Sequence, residues 1–378
     1  MTEDSRVLVS EREAPLDGED TSSDEVIITT PFDPSKIRVE TKNTQMDALI
    51  KRIKRNEIDL APSFQRLGGI WNDAAQSRLI ESMLIKIPLP AFYMDASDDD
   101  LWLVVDGLQR LTTIKRFVVE GSFALTGMEF LNDYNGKRFS QLPRSFQRRI
   151  EETDIVLYLI QPGTPINVKF DIFRRINTGG QPLSAQEIRH ALNQGPVTKF
   201  LKSLADSDEF LKATDSGVSS KRMDDRECVL RFLSFTIFEP KNYGSDNFDG
   251  FLNSAMAKLN SMVEEDFCLY EEMFVKSMIR AEAIFGRHAF RKRYKNQESR
   301  FPINKALFEV WSYHLARIDD RQGATLVQKK EKLQENFIEL MNSDKEFEAS
   351  VSQGTGSIRK VRYRFSKIVQ IISETLDD

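Results

Sequence analysis

An acid, a glycine, an amide and an arginine lie together in the run Asp106-Gly107-Leu108-Gln109-Arg110. The apolar run 101–105 before it predicts a short buried strand, and the apolar spacing after it predicts a helix. At such a strand-to-helix turn, unpaired backbone N–H groups and the helix dipole favour an anion, and the forked donors of Arg110 suit a phosphate. A second interpretation is an ordinary tight turn, in which Asp106 caps the helix and Arg110 is solvated.

A second polar stretch is the run 173–184, with the sequence FRRINTGGQPLS. Its residues Asn177 to Gly180 predict a helix stop followed by a glycine loop, and Ser184 with Glu187 predicts a capping box that begins a new helix. A loop that leads into a helix N-terminus suits a phosphate or a sugar. The alternative is a C-cap followed by an N-cap in a helical hairpin.

The apolar pattern indicates which elements position these two stretches. We predict helices at 44–58, 73–86 and 165–176, and strands at 91–94, 101–105 and 154–161. Beyond about residue 190 the period is helical, with candidate helices at 196–205, 224–238, 249–261, 264–285, 302–318, 324–343 and 357–375. The sequence therefore predicts an α+β N-terminal domain over 36–195 and a mainly α-helical domain over 196–378.

Composition limits the class of protein. The chain has 378 residues, of which 40% are hydrophobic, enough for a sizeable core. Its two cysteines, Cys228 and Cys268, are typical of a reducing compartment rather than of a disulfide framework. No apolar run approaches the roughly 20 residues of a membrane span, and the N-terminus does not resemble a secretory signal. We expect a cytoplasmic protein that does not contact a membrane.

Charge is unevenly distributed along the chain, whose net charge is −5. Residues 1–30 hold nine Asp or Glu and two Arg, so residues 1–35 are predicted to be a disordered acidic tail; the alternative is a segment that screens a basic groove. Two basic faces, at 51–55 and 287–295, are either solvated helix surfaces or contacts for a nucleic-acid backbone.

Several catalytic patterns are missing from the sequence. There is no G-x-x-x-x-G-K-[ST] string of the kind that cradles phosphates. His190, His288 and His314 lie far apart, and no His or Cys group has metal-ligand spacing, so no protein metal site is predicted. No nuclease centre is recognisable.

Four features follow one another in order: Arg66 after Phe64-Gln65, Trp71 opening a helix, VVDGLQRLTT and FRRINTGGQPLS. Together they resemble the DGQQR-motif family, the N-terminal domain of GmrSD-type modification-dependent restriction systems. The resemblance implies a ParB/sulfiredoxin-like fold whose corresponding corner binds nucleotide phosphates. It also implies, for some members, nucleoside-triphosphate hydrolysis linked to recognising modified DNA or to controlling a nuclease.

The resemblance carries over onto specific positions. The core motif matches Asp106, Gly107, Gln109 and Arg110, the upstream Gln-Arg element matches Arg66, and the Asn-x-x-Gly element matches Asn177 and Gly180. By this resemblance Arg110 and Arg66 would hold phosphates, and Gln109 would orient a water or a phosphate oxygen. Asp106 would cap the helix or hold Mg²⁺ through water, and Asn177 would contact phosphate or sugar. Asp106, Gln109 and Arg110 are thus the candidate catalytic residues, and the implied cofactor is a nucleoside triphosphate with Mg²⁺.

One position departs from the family motif, because Leu108 stands where the family has its first Gln. This replacement removes a side-chain amide from the site. Phosphate binding depends on backbone N–H groups, Gln109 and the arginines, so hydrolysis is affected more than binding.

Three hypotheses follow. The first is a nucleotide-binding regulator, with or without NTP hydrolysis, that is linked to DNA recognition or restriction-type phage defence. Its partners would be DNA, a separate nuclease or other defence protein, and further copies of the chain in an oligomer. The second is a DNA-binding protein in which the 106–110 corner is purely structural. The third is a nuclease in its own right.

Overall fold

The computed structural model describes residues 37–60, 71–176, 183–297 and 299–378. The chain divides after Leu192 into an N-terminal and a C-terminal unit, next to the boundary predicted at 195. The predicted acidic tail, residues 1–35, and the candidate site residues Arg66, Asn177 and Gly180 lie outside the described residues. None of the described helices is long and apolar enough to cross a membrane.

A mixed sheet organises the N-terminal unit. Its described strands are β1 Val39–Gln45, β2 Ile58–Asp59, β3 Phe92–Asp95, β4 Trp102–Asp106 and β5 Asp154–Ile160, and they lie in the order β1-β5-β3-β4-β2. The pairs β1·β5 and β3·β4 are antiparallel, whereas β3·β5 and β2·β4 are parallel. The strands predicted at 91–94, 101–105 and 154–161 are confirmed. β1 was not predicted, because its side chains are mostly polar and exposed and so show no apolar alternation.

Helices cover both faces of this sheet. They are α1 Met46–Lys54, α2 Asp73–Leu84, α3 Leu108–Ile114, α4 Arg144–Glu151, α5 Ile166–Ile176 and α6 Ala185–Leu192. Apolar side chains of α1 to α4 pack with Phe92 and Met94 on one face, whereas α5 and α6 pack with Val105 on the other. Tyr93 lies between Phe92 and Met94 in sequence and packs on the second face, as the period of two in a strand requires.

The C-terminal unit is helical in its described residues and has one large core. Its helices are α7 Pro196–Ala205, α8 Asp208–Thr214, α9 Asp224–Phe238, α10 Phe248–Asn260, α11 Glu264–Phe285, α12 Lys305–Arg317, α13 Asp320–Gln328, α14 Lys330–Ser343, α15 Lys345–Ser350 and α16 Ile358–Asp377. The helix predicted at 324–343 is two helices, α13 and α14. Helices α8 and α15 were not predicted, because such short segments barely show a helical period. The predicted class, an α+β region followed by a mainly α-helical one, is confirmed.

A chain of ion pairs lies inside the C-terminal unit. Arg364 donates to Glu309 through Nε at 3.0 Å, and Arg231 donates to the other oxygen of Glu309 at 3.3 Å. Arg231 also pairs with Glu227 at 2.9 Å, and Lys305 lies 3.2 Å from Glu227. Positive and negative side chains alternate along this series, so each of these five charges has a partner of the opposite sign.

Candidate functional site

The corner between β4 and α3 requires a glycine for two independent reasons. Gly107 has φ +101° and ψ 10°, a backbone conformation that other residues rarely adopt. A Cβ atom at this position would also lie 2.5 Å from Cδ1 of Phe92, a fully buried ring in β3. The chain therefore turns here against the aromatic ring, and Gly107 becomes the N-cap residue of α3.

Arg110 is buried at this corner, and protein groups hold its guanidinium. It donates to the carbonyl oxygens of Pro90 and Ala91 and to Oδ2 of Asp106, which lies 2.8 Å from Nη2. The guanidinium carbon also lies 4.3 Å from the centre of the Phe92 ring. Burial lowers the pKa of Arg110, and the adjacent Asp106 carboxylate opposes that shift. Arg110 thus ties the residues that lead into β3 to the end of β4, and it is not the solvated side chain of the tight-turn interpretation.

Asp106 does not cap the helix, so that part of the sequence prediction is wrong. The N-cap residue is Gly107, and no described side chain accepts a hydrogen bond from the first turn of α3. The Asp106 carboxylate instead pairs with Arg110 and remains 30% exposed. As a result, the first-turn N–H groups of α3 are not used by a capping side chain of the described residues.

Gln109 connects the corner to the start of α2. Its Oε1 accepts a hydrogen bond from the backbone N–H of Trp71 at 3.1 Å, and the Trp71 carbonyl accepts one from Gln76. Gln76 in turn accepts from Arg116 at 2.8 Å, and Arg116 also pairs with Asp73 at 3.1 Å. Both backbone polar groups of Trp71 are therefore hydrogen-bonded, and the residue as a whole is 37% exposed.

Leu108 lies on the apolar side of α3. Its side chain is half-buried and packs against the core on the α1–α4 face of the sheet. Gln109, the next residue, is also half-buried but makes a polar contact. The apolar replacement in the DGQQR-like motif is thus accommodated as part of the core.

The sequence gives no role to Tyr93, although this residue is paired with Asp106 in the sheet. It pairs with Asp106 across β3 and β4, and its ring stacks on Tyr158 with a centroid distance of 4.7 Å. Burial, followed by Tyr158 and Asp106, raises the pKa of Tyr93. A tyrosine in an apolar strand gives no signal of such a neighbour in the sequence alone.

Helix α5, which leads towards the Asn177 element, is anchored to β3. Lys169 lies 2.8 Å from Oδ2 of Asp95 and also donates to Ser97. Both side chains of the Lys169–Asp95 pair are nearly buried, so the ion pair is shielded from water. The sequence did not predict this contact, because its partners lie 74 positions apart.

Helix α6, which follows the Asn177 element, begins with the predicted capping box. Ser184 N–H donates to the Glu187 carboxylate at 2.6 Å, and Glu187 N–H donates to Ser184 Oγ at 3.1 Å. Gln186 is fully buried in the same turn and accepts from Arg189 Nε at 2.8 Å. Its Nε2 atom is buried and has no hydrogen-bond partner among the described residues.

The basic face predicted at 51–55 is largely compensated by protein groups. Lys51 pairs with Asp47, and Arg52 pairs with Glu57 and stacks on Trp102 at 3.8 Å. Such pairs and stacking contacts reduce the charge that this face offers to a nucleic-acid backbone.

Residues 46–193 match the model of a protein family described as "GmrSD restriction endonuclease, N-terminal domain". These residues belong to that family. The predicted family is therefore confirmed, and the matched range contains the 106–110 corner together with the Arg66 and Asn177 elements. No curated protein and no solved structure matches the chain.

Of the predicted site residues, the structure brings together Asp106, Gly107, Gln109 and Arg110 at one corner of this GmrSD N-terminal domain. Arg66 precedes Trp71 by five positions in the sequence, and the backbone N–H of Trp71 donates to Gln109 at this corner. The corner can offer backbone N–H groups, an amide and a partly exposed carboxylate to a ligand.

Proposed function

We propose that this chain binds a nucleoside triphosphate at the 106–110 corner and acts as a regulator in a restriction-type defence system. The observation that carries the proposal is the fixed geometry of the corner. Gly107 turns the chain, the Asp106–Arg110 pair holds it, and the first turn of α3 receives no side-chain cap from the described residues. Such a turn is suited to bind phosphate oxygens without rearrangement.

Within this proposal, Arg110 is a positioning residue rather than the main phosphate ligand. Its guanidinium already donates to Pro90, Ala91 and Asp106. A nucleotide would therefore be attracted by the positive charge of Arg110 but would find few free N–H groups on it. The phosphates would be bound by backbone N–H groups of α3, by Gln109 and by Arg66 from the adjoining segment. Asn177 and Gly180, in the second family element, would contact phosphate or sugar.

A divalent ion would enter together with the nucleotide. Asp106 fits this role in a limited way, since its carboxylate is partly exposed and gives Oδ2 to Arg110. Mg²⁺ usually takes one or two carboxylates besides phosphates and water, so a water-bridged contact to Asp106 would suffice. The ion would neutralise phosphate charge, while Asp106 would hold one of its waters.

Hydrolysis is expected to be slow or absent. Leu108 replaces a side-chain amide of the family motif and packs into the core, so Gln109 is left as the amide that could orient a water. Gln109 already accepts a hydrogen bond from Trp71. The bound nucleotide would therefore act as a signal rather than as a substrate that is rapidly consumed.

The link to restriction comes from the family. The matching family is described as a restriction endonuclease domain, and we extend this role to the present chain. We infer that the regulator acts on DNA together with a separate nuclease or another defence protein, with self-association as a further element.

Isothermal titration calorimetry with ATP and GTP, each with and without Mg²⁺, tests the nucleotide proposal. We expect Arg66→Ala and Gln109→Glu to weaken binding by about tenfold or more, since each removes or repels a charge-assisted contact. Arg148→Ala is the matched control, because Arg148 is exposed in α4 of the same unit. An unmodified chain that binds neither nucleotide under either condition would overturn the proposal.

A DNA-binding protein with a structural corner is the second candidate. This candidate is favoured by the hydrogen bonds of Arg110, because its guanidinium already donates to Pro90, Ala91 and Asp106. In that case DNA affinity would survive Gln109→Glu unchanged, and calorimetry would detect no nucleotide.

A further inference from the structure

The segment 286–300 of the C-terminal unit is strongly basic. It holds six Arg or Lys residues and one Glu, whereas residues 193–378 as a whole hold twenty-nine basic and twenty-nine acidic residues. The positive charge of this segment is therefore a local feature and not a property of the unit. Its arginines are distributed over the turn after α11 and the loop that leads to α12.

Arg291 is the buried centre of this segment. Its guanidinium donates to the carbonyl oxygens of Phe301 at 2.6 Å and Thr214 at 3.0 Å, and its Nε donates to the carbonyl of Arg287 at 3.1 Å. These acceptors are neutral, so they hold the guanidinium in place without cancelling its charge. Burial, together with the neighbouring Arg300, lowers the pKa of Arg291 to about 10.

Arg300 and Arg291 converge on Gly217. A Cβ atom on Gly217 would lie 2.5 Å from Nη2 of Arg291 and 3.4 Å from Nη2 of Arg300. Arg300 pairs with Asp215 at 2.8 Å, and both side chains remain partly exposed. A side chain here would therefore displace the guanidinium of Arg291, whereas Arg300 lies at contact distance.

Arg287, Arg293 and His288 extend the cluster to the surface. Arg287 is exposed and donates to Nε2 of His288 at 3.4 Å, and Arg293 donates to the neutral Gln334 at 2.8 Å. Burial lowers the pKa of His288, followed by the charges of Arg293, Arg287, Arg291 and Arg300. These four arginines act on the histidine in the same direction, and Asp215 can balance only one of the cluster's positive charges.

We propose that this arginine cluster, formed by Arg287, His288, Arg291, Arg293 and Arg300, binds the phosphate backbone of DNA. The inference rests on the DNA-linked part of the proposed function and does not depend on nucleotide binding.

Two features favour a DNA backbone over a single small anion. Arg291 directs its contacts to carbonyl oxygens rather than around an enclosed ion, so the cluster attracts mainly through its charge. The exposed or half-buried members, Arg287, Arg293 and Arg300, lie along a surface segment, which suits consecutive phosphates of a polyanion.

Fluorescence anisotropy with a labelled DNA duplex, over about 50 to 200 mM NaCl, tests the inference. The triple variant Arg287→Gln, Arg293→Gln and Arg300→Gln removes three charges but leaves Arg291 in place. We expect its affinity to fall by about tenfold or more. The slope of log affinity against log salt should also shrink, by about 0.9 for each phosphate that the variant no longer neutralises.

The matched control is Lys258→Gln, Lys330→Gln and Lys332→Gln, three exposed lysines of the same unit. It changes the net charge equally, so its affinity should stay within about twofold of the parent chain if the cluster is specific. Equal decreases in affinity for both triple variants, or no DNA binding by the parent chain, would overturn the inference. Binding of inorganic phosphate in place of the duplex would overturn it as well.

Folding and nucleotide binding are checked separately. Thermal unfolding compares the two triple variants, and the single variant Arg287→Glu reverses an exposed charge with little effect on packing. This single variant should also weaken DNA binding, and an unchanged affinity would contradict the inference. Nucleotide titration of the same chains reports on the 106–110 corner, so a failure there is distinguishable from a failure of the arginine cluster.

Discussion

Two buried arginines, one in each unit, use the same chemistry in different surroundings. Arg110 and Arg364 each donate to two backbone carbonyls and to one carboxylate. The difference lies in the carboxylate, because Glu309 beside Arg364 is 0% exposed whereas Asp106 beside Arg110 is 30% exposed. The first pair is enclosed by protein, and the second has one side that a ligand or water can reach.

The two pairs also differ in how their charges are shared. Glu309 accepts hydrogen bonds from both Arg364 and Arg231, and Arg231 also pairs with Glu227. These ion pairs form a network inside the helical unit. Asp106 has Arg110 as its ion-pair partner among the described residues. The enclosed network around Glu309 stabilises the core of its unit. The Asp106–Arg110 pair holds the corner in place, and its partly exposed carboxylate can still interact with another charged group.

The largest expected effect is that of removing the Glu309 charge. Glu309→Gln would leave two buried arginines without their shared negative charge, and we expect the free energy of unfolding to fall by about 3 to 5 kcal/mol. Asp106→Asn should cost only about 1 kcal/mol, because its ion pair is partly screened by water. Urea unfolding followed by circular dichroism measures both variants. If both variants lose a similar amount of unfolding free energy, the exposure of the carboxylate does not determine how much each ion pair stabilises the protein.

A smaller effect is expected at the corner itself. Gly107→Ala combines a positive φ with a clash against Phe92, so we expect a decrease of roughly 2 to 4 kcal/mol in the free energy of unfolding. Gly121→Ala is the matched control, since Gly121 has φ +61° but nothing within 4 Å of its Cβ position. It carries the strain without the clash and should cost less. If both variants are destabilised equally, the Phe92 ring does not define the corner.

The sequence predicts the corner well because its signals are local. An apolar strand, an Asp-Gly break and an apolar helical stripe are contiguous, and the structure has β4, Gly107 and α3 at those positions. The order of the motifs along the chain then indicates the family, which is confirmed for residues 46–193. Gly107 is predictable as a turn residue, but its contact with Phe92 is not.

The partners of the two arginines could not be predicted. Arg110 contacts Pro90 and Ala91, which lie about twenty positions away, and Arg364 contacts Glu309, which lies 55 positions away. A buried charge and a solvated charge on a helix look alike in a sequence, because pairing is decided by how the helices pack. For the same reason, only the folded structure shows that the donors of Arg110 are used by protein groups.

The smallest effect expected is a difference in acid sensitivity, centred on His314 in α12. His314 is half-buried, and its Nε2 donates to the Phe365 carbonyl at 3.0 Å. Burial lowers its pKa to about 4, whereas an unfolded histidine has a pKa near 6.5. Between these values the unfolded chain takes up a proton and the folded chain does not, so stability falls as pH falls. The decrease is about 1.4 kcal/mol per pH unit below pH ~6.5.

Urea unfolding at pH 7.0 and about pH 5.5 measures this slope, with His314→Gln as the comparison. The glutamine keeps an N–H donor for Phe365 but does not titrate, so the variant should lose less stability on acidification than the parent chain. An equal decrease in both chains would place the acid-sensitive group elsewhere. Glu81 in the N-terminal unit is the contrasting case, because backbone N–H groups of residues 129–131 lower its pKa against the effect of burial. The stabilising effect of Glu81 is present above the ordinary carboxylate pKa and is lost only at lower pH, so acid should remove the contribution of His314 before that of Glu81.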